Sequence, residues 1–204
     1  MKKSMIGLAV AAALVFGASH AGAADQLIPG KKLLIKNPPS GPSKNKIVFL
    51  AKDASIAQPS GATEDPTVGG GSLTVADVET GESFTIALPA ANWTSNGNNL
   101  FKYKDSSGAS CKIVLIKNGV LTKAVCGGAQ VAYDLGAAQN AVRVVLATGT
   151  TNRYCTVFSA ARGCSVKKDG SDDKTYIATN CTAAPSGCNP ASPSGAFLDG
   201  ELNF

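Results

Sequence analysis

Apolar and polar positions alternate along most of this chain with the period of a β-strand. From Leu73 the apolar positions run through Val75 and Val78 to the polar stretch Glu79-Thr80-Gly81-Glu82, then resume at Phe84, Ile86 and Leu88. Period two sends successive side chains to opposite faces, so this stretch predicts a hairpin with one buried face, ended by Pro89. Residues 46–51 are apolar through the centre (Ile47, Val48, Phe49, Leu50), as in a strand covered on both sides. Further strands are predicted at 100–104, 129–135, 141–147 and 153–158, the third of these dense in β-branched valine. Residues 165–168 and 175–179 predict a last hairpin around Asp169-Gly170-Ser171-Asp172. Leu33, Leu34 and Ile35 lie between Lys32 and Lys36, a pattern suited to a short strand at a sheet edge. Beyond residue 23 no stretch sustains helical periodicity over three turns. The expected fold is all-β, an antiparallel β-sandwich of about nine to eleven short strands.

The stretch CKIVLIKNGVLTKAVC, residues 111–126, predicts a hairpin closed by its own disulfide. Asn118-Gly119 suits a two-residue type I′ turn, because both central positions need φ > 0 and these residues accept it most readily. Counting outward, 117 faces 120, 115 faces 122 and Cys111 faces Cys126, at a separation that a disulfide spans. Unbulged counting puts that couple at a hydrogen-bonded site. Six cysteines allow 15 connectivities. Closure of short local loops pairs Cys155 with Cys164 and Cys181 with Cys188.

Three segments interrupt the strands. Residues 24–45 are rich in Pro and Lys, and Pro38-Pro39-Ser40-Gly41-Pro42 excludes helix and inner strand. Residues 55–72, with Gly69-Gly70-Gly71, read as a loop, and the Ala-, Pro- and Ser-rich end after Cys181 reads as a stapled coil. The organisation expected is a signal segment at 1–23, an N-terminal segment at 24–45, a sandwich domain at 46–180 and a tail at 181–204.

Composition adds compartment and exclusions. Lys2 and Lys3, an apolar run and Ala21-Gly22-Ala23 form a secretory signal with cleavage near Ala23. An even number of cysteines, all beyond that point, fits a disulfide framework in an oxidising compartment, secreted or periplasmic. His20 is the only histidine and would leave with the signal, which removes the commonest general base and metal ligand. The 19 Lys and Arg against 14 Asp and Glu give +5, falling to +3 without Lys2 and Lys3. The basic residues are scattered, so nucleic acid is not an expected partner. No later run approaches the ~20 apolar residues of a membrane span.

The order of LIKNPPSG, IVFLAKD, DPTVGGGSL, CKIVLIKNG and RYCTVF, over roughly residues 31–180, resembles a module of secreted bacterial proteins. The resemblance implies secretion and a single β-rich unit, and it brings no activity or site residues with it.

Candidate chemistry is sparse. Trp93 among Asn92, Asn96 and Asn98 is the best binding candidate, since sugar rings stack on an indole while amides bond their hydroxyls. The competing reading is a Trp that plugs the end of the core. Asp169, Ser171 and Asp173 open like a calcium loop, but Lys174 and Asn180 stand where Gly and a bidentate Glu belong, so no metal or other cofactor is expected. Ser-x-x-Lys occurs at Ser43, Ser165 and Ser171, in coil, strand or turn where the spacing does not join the side chains. Asp77, Glu79 and Glu82 share one turn, which reads as water-exposed and so lacks the cleft that glycoside hydrolysis needs. Leu198, Gly200, Leu202 and Phe204 alternate like the closing strand of an outer-membrane barrel, though ten prolines and six cysteines argue against one. The function expected is a non-catalytic β module with a binding, adhesive or structural role, its partner a glycan or cell-surface component. The alternatives are a carbohydrate-active protein acting through the Trp93 loop and an outer-membrane barrel.

Overall fold

The computed structural model describes residues 24–108 and 111–189. Residues 1–23, expected to be a signal and holding His20, and the alternating end at Leu198 to Phe204 lie outside the described residues. The strands among them are β1 (Ala24–Leu27), β2 (Gly30–Lys36), β3 (Lys46–Ala51), β4 (Gly71–Asp77), β5 (Ser83–Leu88), β6 (Trp93–Ser95), β7 (Leu100–Lys104), β8 (Cys111–Lys117), β9 (Leu121–Gly127), β10 (Ala141–Thr148), β11 (Asn152–Ser159), β12 (Ser165–Asp169) and β13 (Thr175–Thr179). They form two sheets in an open sandwich. The smaller has the order β1-β11-β10-β4-β5, the larger β12-β13-β2-β3-β9-β8-β7-β6. Among the described residues both strand orders are open, with β1 and β5 at the edges of the smaller sheet and β12 and β6 at those of the larger. No helix among the described residues is long and apolar enough to cross a membrane.

Alternation builds the core. On β10, Val142, Val144 and Leu146 are fully buried, whereas Ala141, Arg143, Val145 and Ala147 lie on the opposite face of the sheet. Leu33 and Ile35 of β2, Ile47 and Phe49 of β3, and Val114 and Ile116 of β8 meet them from the larger sheet. Phe49 and Phe158 join the layers edge to face, with ring centroids 6.2 Å apart. The buried tyrosines keep their hydroxyls bonded: Tyr133 donates to Gln139 Oε1 at 2.6 Å, Tyr154 to the Ala57 carbonyl at 2.7 Å and Tyr176 to the Phe158 carbonyl at 2.9 Å. Such pairing is what permits a phenol in an apolar interior.

Several expectations need correction. β2 is an inner strand, flanked by β13 and β3, and its lysines point away from the core. The short strand β1 pairs in parallel with β11, which alternation did not predict. Within the predicted loop at 55–72 a one-turn helix, Pro66–Gly69, is capped by Asp65, whose carboxylate accepts from the Thr67 N–H at 2.7 Å. Residues 129–135 alternate as predicted, and Val131, Tyr133 and Leu135 are buried, yet they form no strand. Side chains satisfy this backbone instead of a ladder: Asn45 Nδ2 donates to the Val131 carbonyl, Asn37 Nδ2 to the Tyr133 carbonyl, and the Asp134 N–H donates to Glu82 Oε1.

The hairpin β8–β9 carries the Cys111–Cys126 disulfide, as its sequence predicts, but in a different register. Lys117 faces Leu121 and Leu115 faces Lys123, so the loop has three residues, with Gly119 at φ 64°. A bulge between Cys111 and Ile113 shifts the count back and restores the Cys111–Cys126 opposition. The other two predicted pairings are wrong. Cys155 bonds Cys188 and Cys164 bonds Cys181. Ser165 faces Thr179 at the open end of the β12–β13 hairpin, so the residues just beyond, Cys164 and Cys181, are brought together by the ladder. Cys155 lies mid-strand on the face opposite Tyr154, where Cys188 reaches it from outside the sandwich.

Candidate functional site

The described chain after Cys181 runs as a strap over the outer face of the smaller sheet. Its first residues are anchored on the turn that follows β11, where the Arg162 carbonyl accepts from the N–H groups of Thr182 and Ala183. Arg162 Nη1 donates to the Ala184 carbonyl at 3.4 Å, and Pro185 is buried. The strap is fixed to β11 again at Cys188, which is 1% exposed. Disulfides thus hold it at both ends, seven residues apart.

Between the strap and the sheet lies a cleft of about 510 Å³. Pro185 and Ser186 wall one side, Ala141 of β10 and Val157 of β11 form an apolar floor beside Arg143, and Arg162 and Glu79 approach from two turns. Register places Arg143 between Ala76 on β4 and Val157 on β11. Its guanidinium therefore emerges through small and aliphatic neighbours, and its Nε is buried without a hydrogen-bond partner. Burial, and then the nearby charge of Arg162, holds the Arg143 guanidinium below its usual pKa. The cleft's carboxylate, Glu79, is engaged by Asn140, whose Nδ2 donates to Glu79 Oε2 at 2.8 Å. Nothing in the sequence singled out Arg143 or Arg162. The one available signal was a lone Arg on the outward face of a valine-rich strand.

The predicted binding residues do not assemble into a sugar site. Trp93 is 4% exposed, stands edge-on to Tyr103 at 5.4 Å and donates its Nε1–H to the Leu88 carbonyl at 3.2 Å. The indole belongs to the core, and the stacking face that the glycan reading required is not on the surface. Asn96 serves its own loop, its Oδ1 accepting from the N–H groups of Asn98, Asn99 and Leu100. Asn98 is exposed on that loop. Asn92 lines a cavity: its Nδ2 donates to the Tyr103 hydroxyl at 3.2 Å beside an open cleft of about 450 Å³ that Thr85, Ala87 and Gln130 also line.

The remaining motifs act in local structure. Asp53, Asp105 and Asp169 each accept from the N–H two residues on, so each caps a turn. Hydrogen bonds from the Ser55 and Ser171 hydroxyls first, and from their N–H groups next, hold the Asp53 and Asp169 carboxyls below the usual range. Asp77 is buried rather than solvated, its Oδ1 accepting from the Glu79 and Thr80 N–H groups. Ser43, Ser165 and Ser171 are exposed, and the Ser171 hydroxyl donates to Asp169. Among the described residues no group of three His, Cys, Asp or Glu is placed to hold a metal ion. The chain matches no protein-family model, no curated protein and no solved structure.

Proposed function

We propose that this protein is a secreted or periplasmic, disulfide-stabilised β module that acts by binding rather than catalysis, and that its ligand site is the cleft beneath the C-terminal strap. The observation that carries this reading is the strap itself. Two disulfides pin it across the outer face of the smaller sheet, where it walls one side of a cavity. The cavity lies within the ~300–1,000 Å³ range of small-ligand sites and combines an apolar floor with a few oriented polar groups. Three disulfides suit an oxidising, extracytoplasmic compartment. The reading of 1–23 as a cleaved signal supports export.

Two measurements test the proposal. N-terminal sequencing of protein recovered outside the cytoplasm should begin at or near Ala24. Amide shift mapping of the exported, fully oxidised protein against a library of small neutral and charged fragments should give its largest changes at Ala141, Arg143 and Ser159 to Arg162. Largest changes at Thr85, Asn92 and Gln130 would move the site to the other cleft, and the absence of any saturable response would refute the binding role.

A further inference from the structure

We propose that the strapped cleft takes an oxyanion, the carboxylate, phosphate or sulfate group of a small soluble ligand, held between the guanidinium groups of Arg143 and Arg162. This rests on the reading of the cleft as the ligand site and adds the chemistry of what enters it.

The argument begins with an unpartnered donor. Arg143 Nε is buried and bonded to nothing. A charged donor stripped of water and left unpaired is among the costlier states of a polar group, so such atoms are rarely kept without a partner. The neighbours in register, Ala76 and Val157, offer no acceptor from their side chains.

The second guanidinium sharpens the point. Arg162 is close enough for its charge to disfavour protonation of Arg143, and both side chains line the same cavity. Like charges brought together in a partly desolvated cleft repel, and an anion between them converts that repulsion into two charge-assisted contacts. Among the described residues no carboxylate lies within ion-pair distance of either arginine. Glu79, the carboxylate lining the cleft, bonds Asn140, so the cavity's formal balance of two arginines against one glutamate favours a negative ligand.

Geometry selects the group. The two Nη groups of a planar guanidinium present a fork that matches two oxygens of a carboxylate, phosphate or sulfate. Arg162 has one Nη committed to the Ala184 carbonyl, which ties the arginine to the strap and leaves other donors for a ligand. Ser159 and Ser186 line the same cavity, and a hydroxyl is a neutral donor for an anion. The apolar floor of Ala141 and Val157 suits the carbon skeleton attached to the anion. The lysine-lined cleft near Lys44, Lys46 and Lys112 differs on the decisive point, since these lysines are solvent-exposed.

The experiment titrates the oxidised full chain with inorganic phosphate and with sulfate, at constant ionic strength against chloride, following amide shifts and melting temperature. Wild type should show saturable shifts at Ala141, Arg143 and Arg162 and a rise in melting temperature with phosphate. Arg143→Gln and Arg162→Gln should each weaken the response roughly tenfold, the effect of losing one charge-assisted contact pair. In anion-free buffer Arg143→Gln should melt at or above the wild-type temperature, because it removes a half-buried charge that faces the like charge of Arg162; a purely structural arginine would lower it. Equal responses to phosphate, sulfate and chloride, or variants that respond like wild type, would overturn the oxyanion assignment. If neutral fragments still map to the cleft in that case, the binding role stands; if nothing does, both fall. Replacement of the chain's own Asp199 and Glu201 by amides should leave phosphate affinity unchanged, and a tightening would identify those carboxylates as the occupant and overturn the soluble ligand.

Discussion

Removal of Trp93 separates a core role from a glycan-stacking role, and its size follows from the packing. Trp93 is 4% exposed at the start of β6, sits edge-on to Tyr103 and donates to the Leu88 carbonyl. Truncation of a buried Trp or Phe to Ala costs about 3–5 kcal/mol, and an edge-to-face pair contributes about 0.5–1.5 kcal/mol beyond its area. We expect Trp93→Ala to lose about 4 kcal/mol, a large share of the ~5–15 kcal/mol that typically holds a domain. For a domain of this size that is a fall of roughly 8–16 °C in melting temperature. Trp93→Phe, which keeps a ring but loses the N–H donor, should lose about 1–2 kcal/mol. Urea melts followed by far-UV circular dichroism read these values, since the variants lack the chain's single tryptophan. In wild type that same residue reports its own burial: its emission should be blue-shifted and resist acrylamide until the protein unfolds. Water-like emission, free quenching and a Trp93→Ala melting point within 2 °C of wild type would refute the reasoning.

Three further outcomes are expected. Burial first, and for Tyr133 and Tyr176 the charge of Asp77 next, pushes the phenols of Tyr133, Tyr154 and Tyr176 well above their usual value. Their unfolded counterparts ionise near pH 10, so stability should be level below that pH and fall above it by up to about 1.4 kcal/mol per pH unit for each tyrosine. Phenolate absorbance that develops near pH 10 while the fold persists would contradict this. Gly149, at φ 56° in the β10–β11 turn, would place a Cβ in collision with the Thr63 carbonyl oxygen. Gly149→Ala should therefore cost more than the ~1–2 kcal/mol of left-handed strain alone, measured by urea melts. Joint Cys111→Ser and Cys126→Ser substitution opens a loop with a sequence separation of 15 and should cost about 3 kcal/mol on the chain-entropy account, under conditions that leave the other disulfides oxidised.

The all-β class and the hairpin β4–β5 were legible because period-two alternation reports one buried face directly. Register was less so. The Cys111–Cys126 pair emerged from a count with two compensating errors, a three-residue loop and a bulge, neither of which alternation encodes. In the hairpin β12–β13 a longer loop and a bulge bring Cys164 to Cys181, which outward counting from residues 169–172 would miss, and loop length alone favoured the wrong partners. Residues 129–135 show the limit of periodicity: the inward side chains were correctly placed, but side-chain amides took the role of the neighbouring strand. The strand β1 carries too few apolar positions to register at all. The cleft was illegible because it depends on a tail crossing a sheet far from it in sequence. Arg143 and Arg162 then become neighbours only through the turn after β11. The Asn and Trp cluster was visible in sequence, but composition does not say which way an indole faces.

The strap is the claim on which the cleft, its ligand and the function depend, and non-reducing peptide mapping tests it most directly. Trypsin should release 154–162 with Cys155, 163–167 with Cys164, and 175–204, which holds both Cys181 and Cys188 because no Lys or Arg follows Lys174. The structure predicts one cluster of all three peptides, and fragmentation between Ala184 and Pro185 should assign Cys164 to Cys181 and Cys155 to Cys188. A two-peptide species joining 154–162 to 163–167, with 175–204 closed on itself, would contradict the strap and remove the wall of the cleft.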